Sequence, residues 1–330
     1  MTQRNDPLWI GSLIMIFFIL VAFFGPAWAP NDPYEVFNDA IVVGEERYLP
    51  ASIPVPPFTL SQFRLGTDAA GRDLMSRLLH AVRPTLILGT SIVLVRVAVG
   101  LFLGLIAGWY QNWTERIIDS FISVSLAIPI LIFALAALSF MGRRELVHFT
   151  LALALTGWAN TAVFVKNRTQ TIMQAPFIEG ARSIGVKPHL ILRRHVLLQI
   201  WPALPALIAF ELGAVMLVIA ELGFLGMFIG EAFLLTAADP NSSGVITVGL
   251  TASVPELGQM LSDFWSKMIR TPWEIVIVGA AIFLQIFGFN MLGEGLRRQL
   301  DVTVPRRAWW RRGSRAQKLE NGRQEPIPDS

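Results

Sequence analysis

Few side chains in this sequence are suited to chemistry, and their placement narrows what that chemistry is. The four histidines, His80, His148, His189 and His195, lie outside the long apolar runs or at their ends, and there is no cysteine. Hydrolysis inside a bilayer needs a nucleophile and a base within it, and this placement of the histidines argues against it. The lack of cysteine also removes disulfides and thiolate metal sites. Glu179 with His189 and His195 offers metal-ligand types, but Arg182, Lys187, Arg193 and Arg194 crowd the same stretch and oppose a metal cation. No GxxxxGK[ST] phosphate loop occurs, so the chain itself is not expected to hydrolyse ATP. Arg96 and Glu211 are more pointed, because each sits in the middle of an apolar run. An ionisable group there costs at least ~2.5–3.5 kcal/mol on insertion scales and faces a bundle interior or an aqueous path. The two either line a path for a charged or zwitterionic substrate or pair between helices, and the sequence leaves both open.

One polar segment stands apart. Residues 175–196, APFIEGARSIGVKPHLILRRHV, form a basic island between two apolar blocks. Glu179 falls near the start of a short helix, where a carboxylate favours the helix dipole, and Gly185 supplies a permissive backbone at its end. Pro188 then opens a second short helix that carries Arg193 and Arg194. A helix–turn–helix of this kind, lying along a membrane, is suited to docking a soluble partner.

The elements that position these residues follow from composition. The 330 residues are 53% hydrophobic and only 15% charged, with a mean hydropathy of +0.54, too apolar for an ordinary soluble domain. A helix crosses the bilayer core in about 20 residues. Six runs meet that requirement, at 9–25, 84–108, 117–141, 147–165, 201–220 and 273–292. They are too long and continuous for barrel strands, so an all-α polytopic membrane protein is expected. The first run has Pro26 and Pro30 where a signal-peptide cleavage site would stand, so it is expected to be a retained anchor.

Lysine and arginine set the orientation. The tail holds Arg297, Arg298, Arg306, Arg307, Arg311, Arg312, Arg315 and Lys318, and the stretch after the fourth run holds Lys166, Arg168, Arg182, Lys187, Arg193 and Arg194. With six spans, both of these and the N-terminus share one side, expected to be the cytoplasm. Arg143, Arg144 and the arginines between 64 and 83 oppose this arrangement. The division that follows is an anchor at 1–29, an outer segment at 30–83, a transmembrane core at 84–296 containing the loop 175–196 and an outer loop 226–272, and a basic tail at 297–330. Trp309 and Trp310 among the tail arginines suit anionic headgroups, although a solvated tail obeying the positive-inside rule is the plainer expectation. No folded basic domain presents charge to nucleic acid.

Within the outer segment, Asp68 is expected to cap a helix beginning near Ala69, with Gly66 in the turn before it. Leu74, Leu78, Leu79 and Val82 then predict an amphipathic helix at the interface. The stretch 226–235 is expected to be a re-entrant or interfacial piece, followed by a turn at Pro240 to Gly244. Gly100, Gly104 and Gly108 predict a close helix neighbour, and Pro129 a kink in the third span.

These residues together resemble a known family. Glu179-Gly180-Ala181 with Gly185 is similar to the "EAA" loop of binding-protein-dependent ABC importer permeases. Leu65, Gly66, Thr67 and Asp68 with Gly71, Arg72, Asp73, Ser76 and Arg77 resemble the LGTDxxGRDxxSR segment of the dipeptide, oligopeptide and nickel permeases. Ala107 to Tyr110, Trp113, Pro129, Leu155 to Trp158, Phe224 to Gly226, and Asn290 through Arg297 with Asp301 extend the likeness over about 60–302. Gly180 stands where alanine is usual, Leu198 where a proline often follows the loop, and Ser123 where many relatives carry aspartate. Arg96 and Glu211 are not part of the resemblance.

The resemblance implies a type I ABC importer permease fold with a cytoplasmic coupling helix, in a bacterial or archaeal plasma membrane. It implies a second permease subunit and two ATPase subunits, which would bind ATP and magnesium, so that no cofactor is expected in this chain. An extracytoplasmic binding protein would deliver the substrate. Peptides are the expected cargo, with nickel or another solute as the alternative. An ion-coupled secondary transporter would also have midplane charges, but no inverted repeat is visible and such a protein has no need of the loop at Glu179.

Overall fold

The computed structural model describes residues 5–37, 41–43, 46–48, 50, 53–142, 145–230, 232–238, 245–252 and 254–300. Five helical runs are long and apolar enough to cross a membrane, and a bent helix pair brings the total to six. Helix α1 spans Asp6–Trp28, and α2 spans Leu74–Trp109. Next come α3 at Trp113–Ala127, α4 at Ile130–Met141 and α5 at Leu146–Met173. Then follow α6 at Pro176–Ser183, α7 at Pro188–Ile191, a π-helical turn at Leu192–Val196, α8 at Leu197–Ile200, a 3₁₀ turn and α9 at Leu204–Phe224. The short α10 at Leu257–Met260 and α11 at Phe264–Arg270 precede α12 at Pro272–Leu300. Two small antiparallel hairpins complete the described elements. β1, Ile41–Val43, pairs with β2, Glu46–Tyr48, and β3, Ala232–Ala238, pairs with β4, Val245–Ala252.

The expected glycine contact is present in detail. α2 makes its most extensive packing with α5. A Cβ on Gly100 would stand 2.6 Å from Thr161, one on Gly104 2.8 Å from Val165, and one on Gly108 2.5 Å from Thr169. Side chains spaced four apart on α5 therefore lie directly on the α2 backbone, the close approach that small residues permit where no hydrophobic drive separates helix from lipid. The first and last described helices also pack together. Gly11 of α1 lies against the backbone of Met291 and Leu292, and Gly295 of α12 against Leu8. The Asn5 side-chain amide donates to the Gly295 carbonyl at 2.7 Å.

Four local expectations are corrected. Among the described residues, no separate interfacial helix precedes α2. The first turns from Leu74 continue without a break into the span, and Leu74, Ala81 and Val82 are buried against Phe18, Val21 and Ala22 of α1 and Val278 and Ile282 of α12. Asp73, rather than Asp68, caps this helix by accepting from the Ser76 amide. Pro129 breaks the third span rather than kinking it, so that α3 and α4 meet at 91°. The proline cannot donate within a helix and holds the preceding Ile128 extended, at φ −94° and ψ 125°. Part of the stretch expected to be re-entrant is strand β3, consistent with the β-branched Val245, Ile246, Thr247 and Val248 of its partner. The turn from Pro240 to Gly244, Arg143 and Arg144, and the tail with Trp309 and Trp310 lie outside the described residues.

Candidate functional site

Three polar constellations occupy three depths of the molecule. The first is α6 and the turn after it. Pro188 and Pro176 each begin a helix, where a missing N–H costs nothing. Gly185 adopts φ +77°, and its amide donates to the Arg182 carbonyl while Val186 donates to Ala181, closing α6 with a left-handed glycine. Ile178 and Ala181 are buried in one cluster with Val165, Ile172 and Met173 of α5 and with Ile191, Val196, Ile200 and Leu204 of the run into α9. The opposite face is open: Glu179, Gly180, Arg182 and Gly185 are exposed, together with the apolar Phe177 and Ile184. A Cβ on Gly180 would meet nothing, so the missing alanine methyl reflects no steric demand. The element is an exposed knob on a rigid apolar footing, and that footing is continuous with two membrane helices.

The second constellation is the segment Gly66 to Arg77, where every charge turns inward. Asp68 accepts from the amides of Ala70 and Arg72 at 2.9 Å and from Arg72 Nε at 2.7 Å, and Arg77 Nε lies 3.3 Å away. Burial raises the Asp68 pKa, but Arg72 and Arg77 outweigh it and hold the carboxyl below its ordinary value. Thr67 exchanges bonds with the backbone of Val55, and Gly66, at φ +78°, would drive a Cβ to 2.5 Å from the Val55 carbonyl. Gly71, also at φ +78°, donates to the Asp68 carbonyl and closes the turn. Arg77 donates to Gln259 of α10 at 3.1 Å and to the Pro33 carbonyl at 3.2 Å, while Trp273 of α12 donates to the Thr67 carbonyl at 3.0 Å. The motif is thus a knot that joins α10 to the N-terminal ends of α2 and α12.

Sequence reasoning missed the other side of this knot. Glu256 is buried and caps α10 through the amides of Gly258 and Gln259, and Thr85 of α2 donates to it at 3.2 Å. Burial pushes its carboxyl up, against those three hydrogen bonds. Lys267 pairs with Glu274 at 2.8 Å, with both side chains buried. One available signal was Glu256 directly before Leu257-Gly258, an acceptor followed by a residue small enough to seat α10 on Gly223.

The third constellation joins Arg96 and Glu211. The Arg96 Nη1 lies 3.7 Å from Glu211 Oε2, Nε donates to the Leu153 carbonyl at 2.8 Å, and Nη2 donates to Thr156 Oγ1 at 3.1 Å. Arg96 is 1% exposed and Glu211 8%. Gly157 makes room, since a Cβ there would sit 2.2 Å from the guanidinium carbon. The cluster ties α2, α5 and α9 together at mid-helix. Among the described residues no group of three or more histidine, aspartate or glutamate side chains could hold a metal ion.

An exposed knob on an apolar footing, a knotted end of the helix bundle and charges buried between long apolar helices describe a multi-pass membrane protein. The chain matches the family described as binding-protein-dependent transport system inner membrane component over residues 100–300, and the N-terminal TM domain of oligopeptide transport permease C over residues 3–50. It belongs to this permease family, the one inferred from its motifs. It is 33% identical to a glutathione transport system permease protein of Pectobacterium atrosepticum, over 72% of this chain and 71% of the relative. It is 27% identical to a dipeptide transport system permease protein of Alkalihalophilus pseudofirmus, over 91% and 86%. It is 28% identical to a di/tripeptide transport system permease protein of Pseudomonas aeruginosa, over 88% and 86%.

Proposed function

We propose that this chain is the permease subunit of an ATP-driven importer and forms half of the path for short peptides handed over by an extracytoplasmic binding protein. The observation that carries the proposal is α6. Its exposed face holds Glu179, Gly180, Ile184 and Gly185, while its buried face is fused to α5 and α9 through one apolar cluster. In this reading α6 faces the cytoplasm and seats in an ATPase subunit. Closure of the ATP-loaded pair displaces α6, and the footing passes that displacement to the membrane helices as a rigid-body switch between two openings. ATP and magnesium belong to the ATPase subunits, and this chain contributes no catalytic group. A second, homologous permease supplies the other half of the path, in a bacterial or archaeal plasma membrane with both termini on the cytoplasmic side. Peptide cargo is supported by the names of the three relatives.

In the same reading Arg96 and Glu211 act as a pin. Their mutual pairing and the Leu153 carbonyl satisfy them within one subunit, so α9 moves together with α2 and α5 rather than opening between them. The decisive experiment is Glu179→Lys in the assembled importer. Normal membrane insertion with weakened ATPase co-purification and abolished peptide uptake is expected; uptake at the unmutated rate would remove the role assigned to α6.

A further inference from the structure

The run into α9 carries a second exposed face that the docking of α6 does not use. Helical structure continues from Pro188 to Phe224, and within it Arg194, Leu198, Trp201 and Pro205 are exposed at spacings of four, three and four residues, one stripe on one side. Leu198 is 69% exposed and Trp201 68%. The lower end of the stripe is the π-helical turn Leu192–Val196, whose wide winding presents Arg193 and Arg194 side by side. Neither arginine has an ion pair among the described residues, and the sequence has no acid between Glu179 and Glu211 to provide one. From Arg194 to Trp201 the rise is about 10 Å along the axis. That separation matches the distance between an indole in the interfacial belt and guanidinium groups among lipid phosphates. The π turn also touches α6, with the His195 ring 6.0 Å from that of Phe177.

We propose that Arg193, Arg194 and Trp201 bind the headgroup of an anionic phospholipid in the leaflet next to the ATPase subunits, and that lipid held there fixes the depth at which α6 meets its partner. The proposal rests on the orientation and the docking role given above. Charge complementarity favours a lipid phosphate, and the exposed apolar residues that lead from the arginines into the span place this face toward the bilayer. Arginine at such a depth recognises phosphate through a bidentate fork, and two basic residues together are worth on the order of tenfold or more in lipid partitioning.

The test uses the whole importer, with both permeases and both ATPases, reconstituted in phosphatidylcholine nanodiscs with and without phosphatidylglycerol. Native mass spectrometry is expected to show phosphatidylglycerol retained by the unmutated complex and lost from Arg193→Gln/Arg194→Gln. ATPase activity stimulated by peptide-loaded binding protein should rise several-fold with phosphatidylglycerol in the unmutated complex and stay flat in the variant. The variant must keep its ATPase subunits on affinity purification. Equal lipid retention and stimulation in both complexes overturns the proposal. Loss of the ATPase subunits from the variant alone also overturns it, by assigning the arginines to the protein interface. An unmutated complex that purifies without ATPase subunits would instead refute the importer reading itself.

Discussion

The stretches 66–77 and 175–196 are both polar islands in an apolar chain, and they fold in opposite senses. In the first, Asp68, Arg72, Asp73 and Arg77 are all buried and bonded, and Arg77 reaches Gln259 of α10. In the second, Glu179, Arg182, Lys187, Arg193 and Arg194 all face outward. Charge balance separates the two. The first stretch balances two aspartates with two arginines: Asp68 pairs with both Arg72 and Arg77, and Asp73 is bonded by Ser76. The second has four lysines and arginines to one acid, which no folding can neutralise internally. Balanced charge folded inward builds a joint, whereas unbalanced charge left outside makes a surface for something else.

The contrast is most severely tested at Asp68. Asp68→Ala leaves Arg72 and Arg77 buried without their carboxylate, and removing one partner of a buried pair costs about 3–5 kcal/mol. A large fall in membrane accumulation and in the melting temperature of the solubilised protein is expected. A variant that accumulates and melts normally would show that the outer island is not a joint. Glu179→Lys, on the exposed island, should leave melting within about 0.5 kcal/mol of the parent while uptake is lost.

Glu211→Leu should lower stability by about 3 kcal/mol through the stranded Arg96, and Arg96→Leu/Glu211→Leu should recover most of the loss. Chemical denaturation in detergent measures both. If the double variant is stable yet transports nothing, the pair contacts substrate and is more than a pin.

Acid distinguishes the islands more gently. The folded-state pKa of Asp68 lies below its ordinary 3.8, so its contribution to stability is present above that value and is lost as pH falls through the lower, folded one. Melting temperature should therefore drop on acidification below about pH 4, and the drop should be smaller in Asp68→Asn. The smallest effect is expected at Gly180→Ala, where open space and a gain in helix propensity of about 1 kcal/mol predict slight stabilisation with unchanged uptake.

Long-period features were legible in the sequence. The apolar runs gave the spans, the glycines at 100, 104 and 108 gave a helix contact, and Glu179 with Gly185 gave a helix with a glycine end. Features that depend on which partner arrives were not legible. Asp68 had the form of a helix cap, and only the approach of Arg77 and α10 makes it a buried anchor. Leu74 and Val82 had the spacing of an interfacial helix because amphipathic patterning does not say whether the apolar face meets lipid or α1. Arg96 and Glu211 stand 115 residues apart, and their pairing depends on α5 providing the Leu153 carbonyl and the gap at Gly157.

The contact between α1 and α12 has a consequence for biogenesis. The glycine-lined seam through Gly11 and Gly295 joins the earliest described span to leave the ribosome with the latest. Until α12 is inserted, α1 has only part of its final packing, with the notch at Gly11 open to other helices. Interrupted synthesis before residue 272 therefore yields a chain whose α1 seam is unfilled.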